Sequence, residues 1–382
     1  MLQTNPPKGF ETDYTLEYYL KSRNIGWLNL ADLTFDQMWF NEQEKSQYRL
    51  EKGDIVVSEG GEIGKSSIWN GIIKDCYIQN SVHRLTSFQC NSIFLLYWLF
   101  TLGKNSFFKS IVNTISISHL TKEKLENIPL LFPPMVEQER IAAYLDEKCG
   151  EIDELIDVEQ QMISDLESYR QAVITEAVTH GINPIDTTKP TAIPWVSSIP
   201  EQWKEIRLKF LSRISTGDKD TIMANDEGEY PFFVRSPKIE RINTYSYDGE
   251  AILMAGDGVG AGRVFHHFIG KFDWHQRVYN MHELTYNIYG RFLFYFLLTN
   301  FHKLIDAGSA KSTVDSVRLP MLTNFITLVP PLSEQKEISN YLDTKCAEID
   351  ELIKVKQEKI ETLKQYRQSL IFEAVTGKIT IA

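Results

Sequence analysis

The chain has 382 residues, of which 43% are hydrophobic, 24% charged and 12% aromatic, a make-up that excludes a disordered, collagenous or wholly coiled-coil protein and allows two or three domains. Its four cysteines, Cys76, Cys90, Cys149 and Cys346, form no C-x-x-C pair, which argues against a disulfide framework or a cysteine-ligated zinc and for a reducing, cytoplasmic setting. The net charge of -11 speaks against a nucleic-acid partner only if it is evenly spread, because binding DNA requires Lys and Arg to neutralise phosphates.

It is not evenly spread. Residues 135–180 hold 3 basic and 12 acidic side chains and residues 332–377 hold 7 and 9, whereas residues 1–134 hold 13 and 14 and residues 193–330 hold 15 and 15 plus five histidines. The two near-neutral segments have room for a local basic face.

In chain order, residues 1–11 show neither the basic start nor the apolar stretch of a signal peptide, and the longest apolar run, residues 93–100, is far shorter than the ~20 residues that cross a bilayer. A soluble protein that is not exported is expected. Residues 1–132 read as a mixed α/β globule: a buried strand within residues 53–64, a Gly-rich turn, a second strand around Ser67-Ile68-Trp69, and a core-facing helix at 95–102. Residues 133–182 read as one long helix that starts after Pro133-Pro134, contains no Gly or Pro but Gly150, and ends near Gly181. Residues 183–194, with three prolines, read as a linker. Residues 195–329 form a second globule with a first strand at 204–211, a buried strand and Gly-rich turn at 249–260, a following strand at Arg263-Val264-Phe265 and a helix at 292–298; residues 330–382 form a second long helix and tail.

The two long helices are copies: at an offset of 197 residues, 29 of 50 positions from Pro133 and Pro330 are identical without a gap. Apolar residues recur at a spacing near 3.5, as in a coiled-coil seam, at Ile141, Leu145, Ile152, Leu155, Met162, Leu166, Tyr169 and Val173, and at Ile338, Leu342, Ile349, Leu352, Ile360, Leu363, Tyr366 and Leu370. About 40 residues at ~1.5 Å each make a rod of ~60 Å. The simplest packing sets the two against each other, antiparallel, with acidic faces in water.

Two Gly-rich turns imitate phosphate cradles. Gly61-Glu62-Ile63-Gly64-Lys65-Ser66 has Glu59 where a P-loop needs Gly and runs on into a strand, and Gly256-Asp257-Gly258-Val259-Gly260 has the wrong spacing for G-x-G-x-x-G; both read as tight turns. His266-His267 and His275 lack the spaced carboxylates of a metal site. No nucleophile-elbow, base-methylation or nuclease signature is present, so no catalytic residue is assigned.

The order globule, P-P-x-x-E-Q-x-x-I-x-x-Y-L-D (133–146 and 330–343), long helix, E-A-V-T (176–179 and 373–376), then the same again, resembles the specificity subunit of type I restriction-modification enzymes. The lead-in Ile193-Pro194-Trp195 to Trp203 has the same family character. The resemblance implies an α+β fold with two mixed α/β target recognition domains separated by two long antiparallel coiled-coil helices, a pseudo-two-fold internal repeat. It also implies double-stranded DNA as partner, each domain reading one half of a split sequence, with the helical rod as a ruler of at most ~18 base pairs. Chemistry would come from two methyltransferase subunits, which hold the S-adenosylmethionine, and from restriction-motor subunits; no cofactor and no membrane is implied for this chain. One departure stands out: residues 193–216 have no counterpart before Gly9, so the first domain is expected to begin late. The rival reading is a half-specificity subunit or remnant in which only the second domain reads DNA.

Base edges are read by Arg or Lys on guanine and Asn or Gln on adenine, and phosphates by Lys, Arg, Ser and Thr. In the first globule this selects Lys65, Ser66, Ser67, Gln79, Asn80, His83 and Arg84. In the second it selects Arg235, Lys238, Arg241, Arg263, His266, His267, His275, Gln276, Arg277, Lys311, Ser312 and Thr313. Tyr144, Tyr169, Tyr341 and Tyr366 are expected to divide between the seam and partner contacts.

Overall fold

The computed structural model of the chain describes residues 13–86, 89–111, 119–183, 187–308 and 316–381. It divides into two units, residues 1–160 with 357–382, and residues 161–356, so each unit holds one globule and one end of each long helix.

The first unit contains strands β1 (Tyr14–Leu20), β2 (Asp36–Asn41), β3 (Ile55–Ser58), β4 (Ser66–Ile68), β5 (Cys76–Ile78) and β6 (Val82–Leu85), with helices α1 (Glu42–Tyr48), α2 (Ser92–Lys104), α3 (Phe107–Ile111) and α4 (Lys122–Glu126), and then the long α5 (Met135–His180). Its sheets run β4-β3-β6 and β2-β1-β5. Strand β3 is apolar on both faces because both are covered. Ile55 and Val57 pack with Leu96, Leu99, Phe108 and Leu120, and Val56 packs with Leu20, Ile25 and Trp69 on the other side.

The second unit contains β7 (Thr188–Lys189), β8 (Ile199–Pro200), β9 (Lys204–Arg207), β10 (Arg213–Thr216), β11 (Tyr230–Phe233), β12 (Ile239–Ile242), β13 (Tyr247–Ala255), β14 (Phe265–Trp274), β15 (Val278–His282), α6 (Gly290–Gly308), α7 (Leu319–Thr323), β16 (Ile326–Val329) and the long α8 (Leu332–Val375). Six strands form a sheet in the order β10-β15-β13-β14-β11-β12, and β16 pairs with β9. The segment expected as a linker is partly folded: β7 pairs with β8, and Ile193 joins the core formed around Phe292, Phe296 and Phe301. The first strand stops at Arg207, since residues 208–210 turn into a single 3-10 turn that buries Leu208.

The repeat extends into the globules. Strand β3 lies antiparallel between β4 and β6, as β13 lies between β14 and β15. The Gly-rich turns close alike: the Ser58 N–H donates to the Lys65 carbonyl and the Ala255 N–H to the Val264 carbonyl. Gly64 and Gly262 both have left-handed φ, 80° and 62°, and a Cβ there would strike Phe108 at 2.3 Å or Ile305 at 2.2 Å. Both turns lead into strands, as the sequence indicates, and not into the helix that a phosphate cradle requires.

The motif at the start of each long helix ties globule to helix. Gln138, fully buried, accepts from the Asn91 N–H and donates to the Pro133 carbonyl. Gln335, also fully buried, accepts from the Tyr289 N–H and donates to the carbonyls of Asn287 and Pro330. Asp146 accepts from the Tyr97 hydroxyl at 2.8 Å, as Asp343 does from Tyr295 at 2.6 Å. Burial is the main cause that pushes both tyrosine pKa values up, so the phenols stay neutral donors.

Within each unit the helices run antiparallel. In the first, Asp153 pairs with Arg367 and Glu159 with Lys359; in the second, Arg170 pairs with Asp350 at 3.5 Å. The seam differs from the expected one. Ile141, Leu145, Ile152, Ile338, Leu342 and Ile349 are buried, but Leu155 and Leu352 are about half exposed, and so are Tyr169 and Tyr366. At about 100° per residue, Leu155 lies ten residues and about 80° from Leu145, off the buried face. Cys149 and Ile156 take that face, as does Cys346 in the second helix. Tyr144 is half-buried, and Tyr341 lies on the rim of a groove with Ala172, Val173 and Glu176.

Candidate nucleic-acid interface

In the second unit three turns at one end of the sheet carry most of the candidates. Arg235 follows β11, residues 256–262 join β13 to β14, and His275, Gln276 and Arg277 join β14 to β15. The guanidinium groups of Arg235 and Arg277 converge on Asp257, at 3.2 and 3.1 Å, from side chains 48% and 63% exposed. Arg235, Asp257, Val259 and Arg263 line one groove, and Arg263 pairs with Asp306 on α6. Val259, flanked by Gly258 and Gly260, stands 95% exposed at the tip of the turn.

The turn that presents Arg277 is braced from beneath. His275 is buried, and its Nδ1 accepts the Arg277 N–H at 2.9 Å. Burial, followed by the charge of Arg235, lowers its pKa, which keeps the ring neutral and Nδ1 an acceptor. The Gln276 amide donates to Asp220 at 2.9 Å, and its backbone N–H to the Lys219 carbonyl. Exposed pairs of this kind add little stability. They hold two planar cations in place while both side chains stay about half exposed.

The other candidates in this unit are placed differently. Lys311, Ser312 and Thr313 lie outside the described residues; just after them, Ser316 pairs with Asp257 and the Val317 N–H donates to the Gly256 carbonyl. Lys238 is exposed and pairs with Glu240. Arg241 is spent on the carbonyls of Gly228 and Glu229, at 2.6 and 2.8 Å, where its planar fork closes a turn. His266 packs on Phe233, at 5.2 Å between centroids, and burial lowers its pKa. His267, 11% exposed, bonds to Glu250 at 2.8 Å. The three histidines do not converge, and among the described residues no group of three or more His, Cys, Asp or Glu is arranged to hold a metal ion.

In the first unit Gln79, Asn80, His83 and Arg84 share a groove with Tyr48 and Lys122. Most of their polar atoms are engaged. The Gln79 amide donates to the Ser81 hydroxyl, His83 Nε2 contacts the Leu120 carbonyl, and Arg84 donates to the Arg49 carbonyl. Lys65 pairs with Glu62 at 2.7 Å, and Asn80 is exposed. Ser66 and Ser67 require a correction: both are buried, with hydroxyls given to the carbonyls of Gly64 and of Gly26 and Asn29. They hold strand β4 in place and do not face outward, because the strand they open is covered on both sides.

Sequence reasoning missed Asp257, Val259, Lys219 and Lys122. Asp257 had a signal, as the only acid inside the Gly-rich turn, but its two arginines come from positions 22 residues before and 20 after it.

Two α/β globules of one repeated design, each latched to the start of the long helix that follows it, define a repeat protein. The chain belongs to the family described as the type I restriction modification DNA specificity domain, which matches residues 25–168 and 200–362. It is 33% identical over 183 residues to the type I restriction enzyme EcoDI specificity subunit of Escherichia coli, covering 48% of this chain and 40% of that protein. It is 24% identical over 361 residues to the type I restriction enzyme MjaVIII specificity subunit of Methanocaldococcus jannaschii, covering 87% and 80%. The match therefore spans about two fifths of the first relative's length and four fifths of the second's. A chain from a solved structure concerned with complex assembly and conformational transition of the type I R-M system superposes with a TM-score of 0.72 at 16% identity, covering 98% of this chain and 95% of that one. At that identity the likeness shows the fold. Among the described residues no helix is long and apolar enough to cross a membrane.

Proposed function

We propose that this chain is the DNA-recognition subunit of a type I restriction-modification complex. It binds double-stranded DNA, reads one half of a split sequence with each globule, and brings two methyltransferase subunits, which hold S-adenosylmethionine, and restriction-motor subunits to the site. The chain itself performs no chemistry. The observation that carries the reading is the arrangement of Arg235 and Arg277 over Asp257, with Arg263 on the same groove.

The groove would act by exchange. Each guanidinium already makes a charge-assisted bond to a carboxylate, so a DNA phosphate, or the O6 and N7 of guanine, replaces one anionic or electron-rich acceptor with another. Phosphate contacts from the same cluster supply affinity and salt dependence, and a bidentate base contact supplies sequence preference. His275 and Asp220 brace the turn, which limits the orientations Arg277 can take.

The test is to express the chain with its methyltransferase subunit in a host without other DNA methylation and to map modified bases by single-molecule sequencing. A split motif with a fixed gap supports the reading. A stable complex that leaves no motif overturns it. A second reading, in which only the second globule reads DNA, is favoured by one observation: the side chains of Gln79, His83 and Arg84 are turned to internal partners, while Arg235 and Arg277 are presented. It predicts a single unsplit half-motif.

A further inference from the structure

The Gly-rich turn of the second unit carries an apolar side chain in a place the fold does not require. In the first unit the turn between the bonded pair Ser58 and Lys65 holds six residues, 59–64, and its apolar side chain, Ile63, packs against the core around Leu96, Leu99 and Phe108. In the second unit the turn between Ala255 and Val264 holds eight residues, 256–263. Its valine, Val259, is at 95% the most exposed large apolar side chain among the described residues.

A lone exposed valine needs no explanation by itself; this one is held firmly and set among cations. The Gly256 N–H donates to the Arg277 carbonyl, and the Val317 N–H donates to the Gly256 carbonyl. Nearer the tip, the Ala261 N–H donates to the Gly258 carbonyl, and the N–H groups of Arg263 and Val264 donate to the Gly260 carbonyl. A Cβ on Gly260 would strike the Arg235 carbonyl at 2.7 Å, so the turn rests directly on the backbone that presents Arg235. Valine adds a side chain with few χ1 states, and a tip fixed in this way has little entropy left to lose on binding. Val259 lines its groove together with Arg235 and Arg263, and Asp257, two residues earlier, ties the turn to Arg277. The guanidinium groups suit phosphates and guanine edges, which an apolar tip does not. The apolar group that marks a base edge in the major groove is the C5 methyl of thymine.

We propose that Val259 reads the C5 methyl group of a thymine in the half-site of the second globule, while the arginines beside it hold neighbouring phosphates or guanines. The inference rests on the DNA-recognition reading above and adds to it one base selected by apolar contact.

The test uses the complex of the full chain with its methyltransferase subunit and duplexes that carry the mapped motif. Each thymine of the motif is replaced in turn by deoxyuridine, which lacks only the C5 methyl, and affinity is measured. For the unaltered chain, one replacement should weaken binding about fourfold, the worth of one buried methyl group. The same replacement should have no effect on complexes carrying Val259→Ala or, as an independent second variant, Val259→Ser. Val259 is a surface residue, so the fold is not at stake. A motif without A·T pairs, or a response to deoxyuridine that is the same with and without the valine at every thymine, overturns this inference and leaves the recognition reading standing. A stable complex that yields no motif overturns both.

Discussion

Arg277 and Arg235 share a single carboxylate, and that sharing sets what each residue can do. Arg277→Ala is expected to remove about 1–3 kcal/mol of discrimination at one base position and to relax that position in the mapped motif while the others stay as they were; an unchanged motif removes Arg277 from the reading surface. In the same unit, His266, His275 and His282 all have pKa values pushed below the ordinary 6.5, first of all by burial. In each case the folded state binds fewer protons than the unfolded state. The stabilisation is therefore complete above about pH 6.5 and is lost as the pH falls through the depressed folded values. The melting temperature should drop on acidification below that point, and His266→Phe, which keeps the packing on Phe233, should make the drop shallower. At this scale the sequence chose residue types, and the structure decides which of them reach the surface. Arg235 and Arg277 were legible as polar clusters in turns. Ser66 and Ser67 were not legible as buried, because a serine in a short strand reads the same whether its face is covered or open.

The repeat explains itself best at the level of elements. Because two copies of one helix meet antiparallel, the E-I-D-E-L-I segment of each faces the Y-R-Q segment of the other, and Asp153–Arg367 and Arg170–Asp350 are the two outcomes of one rule. Both copies must keep both segments, which accounts for much of their identity. The glutamine latch is repeated in the same way. Gln335→Ala would leave a buried N–H and two carbonyls without partners, at a cost of about 2–3 kcal/mol, measurable as a lowered melting temperature; Gln335→Glu should not rescue it, since a carboxylate cannot donate to those carbonyls. The existence, length and pairing of the helices were legible from the offset and from the prolines and glycines that bound them. The phase of the seam was not, because a strict 3.5 spacing and a true helical turn drift apart within two turns, and the choice between Leu155 and Ile156 rests on that drift.

Over the whole molecule, the charge is divided by task. The excess of acid lies on the long helices, where Glu147 is 67% exposed and Glu154 is also exposed, and the globules are left near neutral with arginines in their turns. Replacing Glu147 and Glu154 by Gln should raise DNA affinity about threefold at low salt and by nothing measurable at high salt, because exposed helix charges that touch no DNA act only through a field that ions screen. The mapped motif should not change; a changed motif would mean that these acids touch DNA. The sequence by itself determined the repeat, the two long helices, the two α/β globules and the location of the charge, since each is a periodicity or a count that depends on neighbours along the chain. Only the tertiary structure decided that Asp257 joins Arg235 to Arg277, that Ser66 and Ser67 are closed off, and that β9 and Trp203 cover one edge of the second globule. Those are contacts between residues far apart in sequence, and burial there depends on what the fold lays on top.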